Sequence, residues 1–138
     1  MNILVTGGSG LVGSTIDSTF KPNSEELDLL NIKDIESYIV ENNIDSIIHC
    51  AAKVGGIKAN TDHLADFYYE NMMMNTNLLH AAYKCGVKKV VSFMSTCVFP
   101  ADAEFPLSTD QLHEGEPHPS NYAYAYAKRM LEVQSRAY

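Results

Sequence analysis

Tryptophan is absent and cysteine is scarce: Cys50, Cys85 and Cys97 are odd in number and widely spaced, with no CxxC pair among them. That pattern argues against a disulfide framework or a thiolate zinc centre and predicts a reduced, cytosolic protein that holds no metal. Cations are in short supply too, with 10 Lys and Arg against 17 Asp and Glu and a net charge of −7. Such a balance argues against a nucleic-acid or anionic-membrane surface. It leaves room for a nucleotide, which needs only local donors. No apolar run exceeds six residues, far short of the roughly 20 that a membrane-spanning helix needs. Proline is rare outside one stretch, with four of the five residues falling at 95–120, which reads as a loop. No internal repeat or low-complexity segment is present. The opening "MNILVTGGSG" passes directly into a strand-like run, so no cleavable leader is expected there.

What remains is a chain of 138 residues, the size of one domain with a core of its own. Three short runs, "NILVT" (2–6), "SIIHC" (46–50) and "KKVVSFM" (88–94), are nearly continuous in apolar character, as parallel strands covered on both faces should be. Helical patterns separate them. Asn31 is placed to cap a helix over 32–42, with Asp34 three residues on and Ile35 and Ile39 on one face. A long helix is expected over about 62–85, stopped by Gly86. A last helix is expected from Ser120–Asn121 onward. Alternating strands and helices predict an α/β fold, a Rossmann-type doubly wound parallel sheet with helices on both faces. Residues 13–28 are cramped, because they must hold the rest of a first helix, a turn and a second strand. "STFK" (18–21) is the one strand candidate there.

Gly7, Gly10 and Gly13 in "VTGGSGLVG" follow the first strand in a GxxGxxG spacing. Glycine permits a tight turn and close backbone approach to a pyrophosphate, and a helix opening there would add N–H donors and positive dipole. A dinucleotide is therefore the expected ligand of this loop, with a bare turn as the alternative. Asp28 lies roughly 20 residues after the first glycine, where an acid can bind a ribose hydroxyl. Alternatively it opens the next segment, with Asp28 and Leu29 beside the adenine. Lys21 is placed either to meet a 2′-phosphate or to stand solvated.

"YAYAYAK" (122–128) carries tyrosine at a strand period among alanines, which are strong helix formers. In a helix, only Tyr124 shares the face of Lys128, one turn on. A neighbouring ammonium favours phenolate, which predicts a lowered Tyr124 pKa and a role in proton transfer. Ser95, at the carboxyl end of the third strand, lies where open α/β sheets bind ligands, or bonds backbone as a strand-end hydroxyl. Cys97, taken alone, is a small buried hydrophobe more readily than an acid–base group. Lys53 contacts a ligand or is a solvated loop lysine, and Asn71 either holds that loop or is a plain helical polar residue. Tyr122, Tyr126, Tyr68, Tyr69 and Met72–Met74 read as packing or surface residues.

The glycine loop, the strand-end serine and YxxxK together resemble the extended short-chain dehydrogenase/reductase family. "AAKVGGI" (51–57), "NMMMNTNLLHAA" (71–82), "MSTCVFP" (94–100) and "YAYAKRMLEVQSRAY" (124–138) narrow the resemblance to its GDP-L-fucose synthases, over nearly the whole chain. By position, the resemblance implies Ser95, Tyr124 and Lys128 as catalytic residues and Cys97 as an acid–base cysteine. It implies NADP(H) contacts from Gly7, Gly8, Ser9, Gly10, Leu11, Val12, Gly13, Asp28, Leu29, Ala51, Ala52, Lys53, Phe93, Met94, Ser95, Thr96, Tyr124 and Lys128. The implied substrate is a GDP-linked 4-keto-6-deoxy sugar, epimerised at C3 and C5 and reduced at C4, by a homodimeric enzyme. Further Rossmann strands, a sugar-nucleotide domain and a histidine that partners the cysteine are expected to lie outside these 138 residues. No histidine present here matches that partner. On its own this portion is expected to have little activity unless a second chain supplies the rest. The other readings are a different nucleotide-sugar epimerase, dehydratase or reductase, and a non-catalytic dinucleotide-binding fragment.

Overall fold

The computed structural model describes residues 1–138. Three parallel strands, β1 (Ile3–Thr6), β2 (Ser46–His49) and β3 (Lys89–Ser92), lie in the order β1-β2-β3, with Leu4, Ile47 and Val90 in register. Each is shorter than its apolar run, although backbone hydrogen bonds continue one residue beyond, as from the Cys50 N–H to Thr6 O at 3.1 Å. The helices are α1 (Ile32–Glu41), α2 (Ile57–Asp62), α3 (Leu64–Lys84) and α4 (Tyr122–Ala137). Contacts divide the chain into two compact units, Met1–Ala52 with Met73–Phe93 and Tyr138, and Lys53–Met72 with Met94–Ala137.

In the first unit, side-chain alternation along the strands puts Leu4 and Ile47 on one face of the sheet. Ile35 and Ile39 of α1 and Leu78, Ala81 and Ala82 of α3 pack there. Asn31 caps α1 as expected, its side chain accepting from the Lys33 N–H at 3.1 Å. Helix α3 ends at a left-handed Gly86 (φ +73°), and the Val87 N–H reaches back to the Ala82 carbonyl at 2.9 Å, a Schellman closure. Polar groups at the carboxyl ends of β1 and β2 are buried in the same unit. The fully buried His49 places Nδ1 2.7 Å from the Thr6 hydroxyl and Nε2 2.9 Å from Asn75 Oδ1. Since Asn75 Oδ1 only accepts, Nε2 carries the proton.

The long helix expected over 62–85 is α3, and a short α2, ending at His63, precedes it. One expectation changes here: no α-helix follows the glycine loop. A 3-10 turn over Gly13–Thr15 stands in its place, and "STFK" contributes a single parallel bridge, Leu4 to Phe20, with the Val5 N–H donating to Phe20 O at 2.8 Å. Ser14, Thr15, Asp17, Ser18 and Thr19 explain this locally. Such side chains compete for backbone hydrogen bonds and favour turns over helix interiors, and Ser14 and Thr15 here donate to Leu11 O and Val12 O. No helix in the structure is long and apolar enough to cross a membrane.

Candidate active site and dinucleotide loop

In the first unit the chain leaves β1 through Gly7, whose φ is +69°. A Cβ there would lie 2.7 Å from the Ala51 nitrogen, so only glycine lets the turn press against the end of β2. Gly13 is equally confined, since its Cβ would meet Gly7 O at 2.2 Å. The Gly10 N–H donates to Gly7 O and the Ser14 N–H to Gly10 O, both at 3.0 Å. The N–H groups of Gly8, Ser9, Leu11 and Val12 take no part in the hydrogen bonds of the turn. They form the outer rim of the loop, where Leu11 is 92% exposed. A rim of unused N–H donors suits a pyrophosphate, so the loop itself fits a dinucleotide. What it lacks is the aligned dipole of a following helix.

The remaining candidates near the first strand are held by the chain. Lys21 lays its stem over Gly8 and donates from Nζ to Ile16 O at 2.7 Å and Ser14 O at 3.3 Å. Asp28 accepts the Leu30 N–H at 2.9 Å as a turn former, and Leu29 is buried in the core. Ala51 donates its N–H to Thr6 Oγ1 at 3.3 Å, and Ala52 follows it half-buried. Phe93 donates its N–H to His49 O at 3.1 Å.

The second unit gathers the side chains expected to do chemistry. A short 3-10 turn, Thr96–Val98, is capped by Ser95, whose Oγ accepts the Cys97 N–H at 3.3 Å. Helix α4 opens at Tyr122 and resolves the phase of the tyrosines. Tyr122 is exposed, Tyr126 lies against the Arg129 guanidinium, and Tyr124 hydrogen-bonds the Ser95 side chain. Lys128, one turn on, is only 2% exposed. The sequence spacing predicts a lowered Tyr124 pKa, but the structure raises it. Burial is the main cause and the neighbouring Cys97 adds to it, outweighing the Ser95 hydrogen bond that favours phenolate. Met94 and Thr96 flank Ser95 and are exposed.

Asn71, fully buried in α3, holds the 53–56 loop of the same unit. It accepts the Lys53 N–H at 2.9 Å and donates to Lys53 O at 3.0 Å and Phe67 O at 2.7 Å. The Lys53 ammonium pairs with Glu70 and lies 5.8 Å from the centre of the Phe67 ring. Among the anchoring residues that the sequence did not single out is Arg129. It is buried in α4 and donates from Nε to Val98 O at 2.6 Å and from Nη1 to Gly115 O at 2.7 Å. Its partners are backbone carbonyls, which leave no side-chain signature in a sequence.

A family profile, the NAD dependent epimerase/dehydratase family, matches residues 17–138 and begins after the glycine loop. A GDP-L-fucose synthase from Dictyostelium discoideum is 42% identical over 147 residues, covering 99% of this chain and 46% of the relative. The chain thus spans about half the length of the curated relatives it matches. An alignment longer than the 138-residue chain also means that the relative carries residues with no counterpart here. A GDP-L-fucose synthetase from Naegleria fowleri, solved with NADP bound, overlays with a TM-score of 0.86 at 41% identity, covering 98% of this chain and 43% of that one. A GDP-D-glycero-L-gluco-heptose synthase from Campylobacter jejuni, solved in the presence of NADPH, overlays with a TM-score of 0.93 at 27% identity, covering 99% and 43%. With the profile matching most of its length, the chain belongs to the NAD dependent epimerase/dehydratase family.

Proposed function

We propose that this chain is the dinucleotide-binding and catalytic portion of a GDP-L-fucose synthase. The observation that carries the reading is the convergence of Ser95, Cys97 and Tyr124 in one small turn-and-helix unit, with Lys128 a helical turn from the tyrosine. The expected cofactor is NADP(H), which supplies hydride to a carbonyl carbon when bound. The unused N–H groups of Gly8, Ser9, Leu11 and Val12 would hold its pyrophosphate.

The substrate of this reading is GDP-4-keto-6-deoxy-D-mannose. The 4-keto group acidifies the hydrogens at C3 and C5, and Cys97 exchanges a proton there. When C4 is reduced, the carbonyl π electrons move onto oxygen and the Tyr124 phenol gives that oxygen its proton. Ser95 holds the oxygen and Lys128 orients the centre. A phenol whose pKa is raised stays protonated at neutral pH, the form an acid in reduction needs. The cytoplasm is the proposed compartment, in keeping with three free thiols. A homodimer, or a second chain supplying further elements, rests on the resemblance alone.

The test is to assay the natively expressed protein with NADPH and the GDP-keto sugar. Tyr124→Phe is expected to slow reduction by about 10²–10⁴-fold, the usual contribution of an acid–base group. Tyr122→Phe should leave the rate near its original value, and the reverse result would sink the assignment. Cys97→Ser is expected to suppress solvent-deuterium incorporation at C3 and C5 while sparing reduction of an already epimerised keto sugar. A second reading, a GDP-heptose synthase, draws on the Campylobacter overlay. Preference for a GDP-4-keto-heptose in the same assay would favour it.

A further inference from the structure

Arg129 presents a physical problem that packing does not answer. The residue is 3% exposed, its Nη2 is buried with no partner, and its bonds go to two neutral carbonyls and a tyrosine ring. Burial accordingly lowers its pKa from the ordinary arginine value. Removing an arginine charge from water without a carboxylate is expensive, and a methionine of similar length would fill the space more cheaply. What a methionine lacks is directed donors. One Arg129 donor fixes Val98, the residue after Cys97 and the last of the turn that Ser95 caps. Another fixes Gly115, at the far side of the loop that leaves that turn. There the Ala101 N–H also closes on Glu116 O at 3.0 Å. The arginine itself is the neighbour of Lys128 on the helix that carries Tyr124.

We infer that Arg129 is a positioning residue that staples the Ser95–Cys97 turn to α4 and so sets the placement of Cys97 against Tyr124. The inference rests on the proposed roles of those two side chains, but its test needs no turnover and can fail separately from them. The guanidinium forms a rigid fork, and its two bonds tie Val98 and Gly115 to one plane on α4. A lysine carries its three donors on a single nitrogen at the end of a flexible stem, so it lacks the fixed, planar fork that holds the two carbonyls relative to each other. Loss of both bonds frees the turn to slide on the helix, and placement errors near 1 Å are enough to cost about 10² in rate at such centres.

The experiment uses the 138-residue chain with Cys50→Ser and Cys85→Ser, so that Cys97 is its one thiol. 3-Fluorotyrosine is placed at position 124. The readouts are the rate of Cys97 alkylation by iodoacetamide and the fluorine resonance of residue 124, in Arg129→Met, Arg129→Lys and a control, Lys58→Met. Arg129→Met is expected to change the alkylation rate by about tenfold, since thiol reactivity follows its surroundings. It should also shift the fluorine resonance, with Arg129→Lys intermediate and Lys58→Met unchanged. A folded Arg129→Met with both readouts unchanged overturns the inference, even if its melting temperature falls. Failure of both Arg129→Met and Arg129→Lys to fold also overturns it, because the arginine would then be holding the fold rather than the turn. If the tyrosine and cysteine variants leave turnover intact, the proposed function falls while these readouts still judge Arg129.

Discussion

Gly7 and Gly86 share a left-handed backbone, with φ of +69° and +73°, but not an environment. A methyl added at Gly86 has no atom within 4 Å, whereas at Gly7 it would meet Ala51 N at 2.7 Å, Ala51 Cα at 2.8 Å and the Cys50 carbonyl carbon at 2.9 Å. Alanine at either position carries the left-handed strain of about 1–2 kcal/mol. A less flexible unfolded chain offsets this by roughly 0.4–1 kcal/mol. Gly86→Ala is therefore expected to cost about 0–1.6 kcal/mol. Gly7→Ala adds a clash with backbone that cannot rotate away, and overpacking of that kind costs about 1–3 kcal/mol. The total at Gly7 comes to about 1–4.6 kcal/mol. Urea unfolding followed by circular dichroism measures both, with the difference between the variants isolating the clash. Gly7→Ala should also weaken NADPH binding, measured by calorimetry, because relief of the clash must re-aim the rim N–H groups of Gly8 and Ser9. Equal stability costs at the two positions, or an unaltered NADPH affinity in Gly7→Ala, would refute the idea that the loop is shaped by its approach to β2.

Asn71→Leu keeps the side-chain size but strands the Lys53 N–H and carbonyl it now satisfies; a loss of about 2–4 kcal/mol is expected in urea titration. For Tyr124, the folded pKa is raised, so its contribution to stability is complete below the ordinary phenol value and is lost as pH climbs through the folded value. Stability should therefore fall on the alkaline side, and Tyr124→Phe should flatten that limb in urea midpoints taken across it. Asp45 shows the opposite sign. Its carboxylate accepts the Asn2 N–H and the Ser46 hydroxyl, each at 2.9 Å, and these lower its pKa. Its contribution is present above the ordinary carboxylate value and lost as pH falls through the folded value, so Asp45→Asn should shallow the acid limb.

Legibility in the sequence followed the kind of interaction at each place. β2 announces itself because a buried parallel strand needs a near-continuous β-branched run, and β3 carries the same kind of run although no residue of it is buried. The α1 boundary was legible because Asn31 caps through its own side chain. The tyrosine repeat was resolved by phase, since Lys128 can share a helical face with Tyr124 alone. The missing helix after the glycine loop was not legible from the glycines, whose spacing encodes a turn and a close approach but not the element beyond them. The information lay instead in the run of Ser, Thr and Asp at 14–19, where side chains compete for the backbone. The family profile begins within that run, at residue 17, and the curated relative carries residues this chain lacks.

The direction of the Tyr124 shift shows why spacing alone misjudges chemistry. Helical spacing puts a lysine near the tyrosine, and one charge at that distance favours phenolate. But the same helix that brings the lysine also buries the ring, and the turn it packs against brings a thiol. Burial opposes the phenolate, and the neighbouring Cys97 opposes it further, so two effects outweigh the hydrogen bond from Ser95. The net result favours one direction of chemistry. A lowered pKa would ready the residue to take a proton from an alcohol, whereas a raised one keeps the proton available for an alkoxide forming beside it.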